Sequence, residues 1–326
     1  MTLDLKGTNV RELPSELFKL QQLRYLLVYK VGTIPIFKIF GFYGQVGIGS
    51  LVNLQELFFI DVNQGGVVVK EMGRLSKLRR VGILGLRRED GPELCSSIEK
   101  MRNLRWLSVE SLEEKVLDVQ YLSSPPPLLQ TIELTGKLEK FPNWISLLHN
   151  LKKILLMGCT SREDPLEVLQ ALPNLTELKL NGAYFGDELC FRAGGFQTLK
   201  ILYLSKFERL NLVRVEEGAM PHLEELNIFE CKMLEKHNHP PATQARLCSP
   251  SLLPQNPSPT SCSLPTTVLI PSISSLVSLY KYQYSPPQKI TAQLRTPTPA
   301  QVWSTPQVPR ASQLTSEPQQ PSRLRQ

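Results

Sequence analysis

One phrase recurs along this chain at intervals that leave few folds open. Aligned on a single apolar position, its copies read TLDL (2–5), LQQLRYLLV (20–28), LVNLQELFF (51–59), LSKLRRVGI (75–83), MRNLRWLSV (101–109), PPLLQTIEL (126–134), LHNLKKILL (148–156), LPNLTELKL (172–180), FQTLKILYL (196–204) and MPHLEELNI (220–228). The aligned anchors are Leu3, Leu26, Leu57, Val81, Leu107, Ile132, Ile154, Leu178, Leu202 and Leu226, spaced 23, 31, 24, 26, 25, 22, 24, 24 and 24 residues apart. A repeat of about 20–29 residues is a unit that cannot bury its apolar face alone, so its copies must stack.

Within a phrase, the leucines three and six residues ahead of the anchor have helix-like spacing. The anchor and the residue two beyond it alternate as in a strand. The L-x-L part therefore reads as a short strand with both side chains pointing into the coil. The earlier leucines fill the same layer from the incoming convex segment. This predicts an α/β leucine-rich-repeat solenoid over 1–236, a right-handed horseshoe of about ten repeats with parallel strands on its concave face. The fifth residue past the anchor is Thr8, Cys159 and Cys231 in three coils and apolar or Lys in others, so a side-chain ladder there is expected to be degenerate. The prolines of ELP (12–14) and KFP (140–142) suit the convex return, where no sheet donor is lost. The 31-residue interval carries an insertion, VGTIPIFKIFGFYGQVGIGS (31–50), expected to bulge from the second coil as a loop.

The pattern stops near residue 237. Residues 237–326 hold sixteen of the 26 prolines, with Ser, Thr and Gln between them, which predicts a disordered tail. P-x-x-P occurs there three times, near chance for that much proline. The apolar patch TTVLIPSISSLVSLYKYQY (266–284) is broken by Pro271. Of the chain's net charge of +7, six belong to the tail, which has seven bases and one acid. Residues 1–236 hold thirty bases and twenty-nine acids. A nearly neutral repeat region gives no reason to expect a nucleic-acid partner. No apolar run reaches the roughly 18 residues of a membrane span. The first ten residues carry charge and no apolar h-region, so no signal peptide is expected and the six cysteines should be reduced thiols.

Residue types that carry chemistry are scattered. His149 and His222 stand just ahead of a layer leucine and read as surface residues. Cys231, His237, His239 and Cys248 are zinc-donor types, but no C-x-x-C pair anchors them and Cys231 is explained by its repeat phase. GQVGIGS (44–50) lacks the strand–loop–helix setting of a phosphate cradle. No nucleophile–base pair stands out. The sequence thus predicts no enzyme, no cofactor and no metal. The one sequon, Asn174-Leu175-Thr176, includes a layer leucine and reads as a chance match.

The informative surface is the concave face. A solvated sheet face should alternate apolar-in with polar-out. Tyr25, Leu27, Tyr29, Phe58, Ile60 and Trp106 break that rule, and Glu133, Lys179 and Tyr203 continue the face into later coils. Exposed apolar clusters mark contact sites, with aromatics as anchors. Those nine residues are the candidate partner-binding set. The competing explanation is intramolecular cover, by the 31–50 insertion or by another domain.

The wording of the repeats carries a resemblance. VRELPSELFKLQQLRYLLVYK (10–30), IGSLVNLQELFFIDV (48–62), EMGRLSKLRRVGI (71–83), SSIEKMRNLRWLSV (96–109), KFPNWISLLHNLKKILL (140–156) and EEGAMPHLEELNIFECKMLEK (216–236) resemble the leucine-rich region of plant nucleotide-binding leucine-rich-repeat immune receptors of the coiled-coil class. The resemblance covers 1–236. It implies a cytoplasmic recognition module, with room for peripheral attachment at the plasma membrane. Its protein partner would be a pathogen effector or a guarded host protein, and the region would also pack on the nucleotide-binding domain of the same receptor to hold it off. This chain carries no G-x-x-x-x-G-K-[ST] loop and no N-terminal coiled coil, so it reads as a truncated form of such a receptor.

Alternatives from other classes are a stand-alone scaffold, decoy or adaptor without nucleotide switching, and an extracellular leucine-rich-repeat inhibitor. The latter class repeats LxGxIP in every coil, whereas GTIP (32–35) occurs once here and out of phase.

Overall fold

The computed structural model describes residues 1–32 and 38–236. All belong to one unit of the chain, and residues 293–326 lie outside them. The expected tail 237–326, with His237, His239 and Cys248, lies outside them too.

The strands are β1 (Thr2–Asp4), β2 (Tyr25–Leu27), β3 (Tyr29–Val31), β4 (Ile39–Tyr43), β5 (Glu56–Asp61), β6 (Arg80–Leu86), β7 (Trp106–Ser111), β8 (Thr131–Thr135), β9 (Lys153–Met157), β10 (Glu177–Asn181), β11 (Glu188–Phe191), β12 (Ile201–Ser205), β13 (Leu212–Val215) and β14 (Glu225–Phe229). Helices are short: α1 (Gly66–Met72), α2 (Gly91–Glu99), α3 (Leu166–Leu169) and α4 (Lys232–Lys236). The return segments after β10 and β12 carry the short strands β11 and β13 instead, and others carry 3-10 turns. Two of these, Ser15–Lys19 and Asn143–Leu147, follow Pro14 and Pro142, whose fixed φ presets the turn without removing a needed donor.

Ten strands form one parallel ladder in the order β1-β2-β5-β6-β7-β8-β9-β10-β12-β14. Its register pairs Leu3 with Leu26, Leu57, Val81, Leu107, Ile132, Ile154, Leu178, Leu202 and Leu226 in unbroken succession. The ten anchors aligned by sequence are therefore one physical row. From Leu26 to Leu202 each anchor is at most 1% exposed, and the leucines three and six residues ahead close the same core. The fold is an α/β leucine-rich-repeat solenoid.

Two further ladders hold successive coils together. The carbonyl two residues before each anchor accepts two N–H groups from the next coil. Arg24 O accepts from Gln55 and Glu56, Arg79 O from Arg105 and Trp106, and Arg105 O from Gln130 and Thr131, at 2.7–3.1 Å. The same pattern runs unbroken to Lys200 O, which accepts from Glu224 and Glu225. The second ladder was not read from sequence. Four residues before the anchor, the amides of Asn53, Asn150 and Asn174 donate to Gln21 O, Pro127 O and His149 O of the preceding coil at 2.7–2.8 Å. Asn103 reaches Ser76 O at 3.4 Å. A side-chain amide there supplies a donor that the turn backbone lacks. The expected ladder past the strand is indeed sparse: the Cys159 thiol reaches Leu134 O and Met157 O at 3.6 and 3.7 Å. Burial pushes both the Cys159 and Cys95 thiols up to about 12.

The insertion departs from expectation. It is not a plain loop but a strand hairpin. β3 pairs antiparallel with β4, and β4 then runs parallel to β5, matching Phe42 with Ile60 and Tyr43 with Asp61. On the far side of the coils, β11 and β13 make a second, two-stranded parallel sheet that the repeat phase did not signal.

Candidate functional site

The site is the face of the large sheet turned away from the core. Its residues lie one before, one after and three after each anchor, and register places them in rows across neighbouring coils. In coils three to five the rows are interrupted. Between Leu57 and Ile60 the β5–β6 register shifts, three steps on β5 matching two on β6. The extra residue is absorbed at Phe59, whose φ is +59°.

This irregularity reverses the side-chain phase. Ile60, expected on the outer face, is fully buried in the main core, and Phe59 turns outward in its place. Phe59 is nonetheless only 1% exposed. It sits over Gly82, where a Cβ would be 2.9 Å from its ring, and packs with Leu84 and Trp106 beneath Tyr29, Phe58 and Ile39. Phe58 stacks on Trp106 at 5.2 Å, and Tyr29 and Trp106 meet Phe59 edge-on at 5.2 and 6.0 Å. Ile39 belongs to the insertion, so the hairpin covers these rings. Trp106 is buried at 9% exposure, and Tyr25, Leu27, Tyr29 and Phe58 are half-buried. Arg80 lies over the stacked pair, its guanidinium carbon 5.1 Å from the Phe58 centroid and 5.5 Å from that of Trp106. Arg11 braces the hairpin from the first coil. It stacks on Tyr43 at 4.5 Å and reaches the Asp61 carboxylate at 3.3 Å.

From coil six onward the rows are regular. Glu133, Leu155, Lys179, Tyr203 and Asn227 form one row; Thr135, Met157, Asn181, Ser205 and Phe229 form a second. Thr131, Lys153, Glu177, Ile201 and Glu225 form the third. Charges here are internally matched. Glu177 takes Lys153 and Lys179 at 2.7 Å each. Burial would raise its pKa, but the two ammonium groups outweigh that and hold it below the usual range. Lys179 also lies 4.9 Å from the Tyr203 ring, and the Tyr203 hydroxyl donates to Glu225 at 2.7 Å. Leu155, Met157, Ile201 and Phe229 stand half-buried among these polar groups.

Glu133 joins the two halves. It accepts from Trp106 Nε1 at 3.1 Å. Burial raises its pKa above the ordinary glutamate range, and hydrogen bonds from Trp106 and Ser108 with the nearby Lys179 and Arg80 charges only partly offset this. A carboxyl that binds its proton more tightly when folded makes stability fall as pH rises from the ordinary value through the raised one. Glu133→Gln keeps an acceptor for Trp106 and removes the titration. Thermal melts from mildly acidic to neutral pH should show a downward slope in the parent that the variant lacks. Parallel slopes would refute the assignment.

Of the nine sequence candidates, Tyr29, Phe58 and Trp106 are brought into one cluster, while Glu133, Lys179 and Tyr203 share a row. Phe59, Arg80 and Leu84 were missed. The only available signals were the doubled Phe58-Phe59 and the long second interval. His149 and His222 are exposed, as expected. Among the described residues no helix is long and apolar enough to cross a membrane.

A family profile described as "Leucine-rich repeat region" matches residues 1–247. Disease resistance protein RPM1 of Arabidopsis thaliana is 36% identical over 184 residues, which is 56% of this chain and 20% of that protein. Disease resistance protein RPP8 of the same plant is 30% identical over 196 residues, 59% of this chain and 21% of that one. The chain thus spans about a fifth of the length of these curated relatives. Among solved structures, the plant peptide hormone receptor RGFR1 in complex with RGF2 aligns with TM-score 0.42 and 14% identity, over 69% of this chain and 38% of that one.

Proposed function

The chain belongs to the leucine-rich repeat family, its repeats are similar to those of plant disease resistance proteins, and on that premise we propose that it is a protein-recognition module of plant innate immunity. It acts by binding rather than catalysis, in the cytoplasm or at the inner surface of the plasma membrane. Its partner is a pathogen effector or a guarded host protein. Where the repeats are joined to a nucleotide-binding domain, contact with that domain restrains the receptor.

One observation carries the reading. The sheet face of coils six to ten sets half-buried Leu155, Met157, Ile201 and Tyr203 among ion-paired and hydrogen-bonded polar side chains. An apolar centre with a polar surround is the anatomy of a protein interface. In coils three to five the corresponding residues are already covered by the chain's own hairpin, so replacing Tyr29 or Phe58 perturbs packing as well as any contact.

The test is capture of cross-linked partners by tagged full-length chain expressed in plant tissue. Leu155→Asp with Tyr203→Ala should retain the parent's circular dichroism and lose at least about tenfold in captured partner, as loss of a central anchor does. Undiminished capture by the folded variant would overturn the reading.

A further inference from the structure

The backbone ladder two residues before each anchor fixes a line of side chains on the flank of the sheet, one per coil, at the strand spacing of about 4.8 Å. That line carries Arg24, Arg79, Arg105 and Lys152, with Gln55 and Gln130 between. The adjoining position adds Arg80 and Lys153. All six cations are exposed. Over coils two to seven these two positions hold one acid, Glu56. The arrangement is not spent on internal pairing. Of the six, Lys153 is the one ion-paired with an acid among the described residues, Glu177, and Arg80 lies over the rings of Phe58 and Trp106. Elsewhere the same chain does match its charges, as Lys200 with Glu224 two coils further on. Six like charges held in register with a single acid among them repel on balance, so the row costs stability in isolation and is relieved by an anion.

We propose that this flank is a docking rail for an extended acidic polypeptide segment of the partner. Six coils span about 24 Å, the reach of roughly seven extended residues. Guanidinium forks bind carboxylates two bonds at a time, and the interposed glutamines both donate to and accept from a peptide backbone, which a phosphodiester chain could not answer. Glu56 inside the row also disfavours a continuous polyanion. The rail borders Tyr25 and Phe58, so a protein laid on the sheet face would bring its acidic edge there. The inference rests on the chain being a protein-recognition module, but not on which residues of the sheet face make contact.

The probe is a fluorescent ten-residue glutamate-rich peptide, titrated by anisotropy into full-length protein. Residues 237–326 are themselves basic, so the informative quantity is the difference between variants of the full chain. Arg79→Glu with Arg105→Glu should weaken binding at least about tenfold, and raising salt from about 50 to 500 mM should narrow that gap. Lys137→Glu with Lys140→Glu, elsewhere on the surface, should leave binding unchanged. Equal losses in both variants, or tighter rail-dependent binding of single-stranded DNA or phosphatidylserine vesicles than of the peptide, would overturn the proposal. Rail-independent peptide binding alongside intact face-dependent capture would sink the rail and spare the functional reading; the reverse pattern would do the opposite.

Discussion

Gly41→Ala should strip the hairpin from the sheet and expose Trp106. A methyl at Gly41 would fall on the Phe59 carbonyl oxygen, and the Leu84 side chain lies 3.2 Å away on the other side. The obstacle is backbone, so no rotamer change relieves it. Either β4 leaves β5, giving up the Phe42–Ile60 and Tyr43–Asp61 pairs, or Phe59 leaves its left-handed conformation and the bulge is lost. Adding a methylene to a packed site costs about 1–3 kcal/mol, and the upper end or beyond applies where main chain must move. The effect should be local. Phe59, Leu84 and Trp106 form a cluster separate from the main core, so the anchor row stays folded when the cluster opens. Acrylamide quenching of tryptophan should rise relative to the parent, with Trp144, buried in the main core, and Trp303, outside the described residues, common to both proteins. Amides of 39–43 should exchange faster while those of β9 and β10 keep their protection. Unchanged quenching and exchange would mean that the hairpin does not depend on this glycine.

The solenoid was legible because its signal is redundant. Ten anchors each repeat the same apolar spacing, and a phase error in one would be corrected by its neighbours. The register from Leu3 to Leu226 follows without exception. The hairpin was not legible for the opposite reason. It occurs once, and its strands are defined by a partner, β5, whose own phase slips at Phe59. A single inserted residue in a strand leaves the composition unchanged and flips every side chain beyond it. That is how Ile60 came to be placed on the wrong face. The asparagine ladder was present in the phrases as Asn53, Asn103, Asn150 and Asn174, always just ahead of a layer leucine. Its meaning needed the distance to the preceding coil. The candidate surface was legible as a face but not in detail, because exposure depends on what the rest of the chain lays over it. The aromatic half is a small second core, and the regular half in coils six to ten carries the half-buried apolar residues of the proposed contact face.

Identical truncations in the anchor row should differ in cost by position, and this tests the stacking itself. Leu178 is wholly buried and sits in register between Ile154 and Leu202. Leu178→Ala removes contacts with both neighbouring coils and leaves a cavity that flanking layers cannot fill, at about 2–5 kcal/mol. Leu226 occupies the same place in β14 but is half-buried, and among the described residues only β12 pairs with its strand. Leu226→Ala should therefore cost about half as much or less, since its side chain is still partly in water. The two variants should also differ in kind. Stability in a stacked array is nearly a sum over neighbouring interfaces. Weakening two adjacent interfaces at Leu178 should loosen the coupling between coils on either side and broaden the urea transition, with exchange fastest in β9, β10 and β12. Weakening the last described interface should shift only β14. Equal losses, or a sharp single transition for Leu178→Ala, would show that the coils unfold as one block and that nearest-neighbour stacking does not govern this chain.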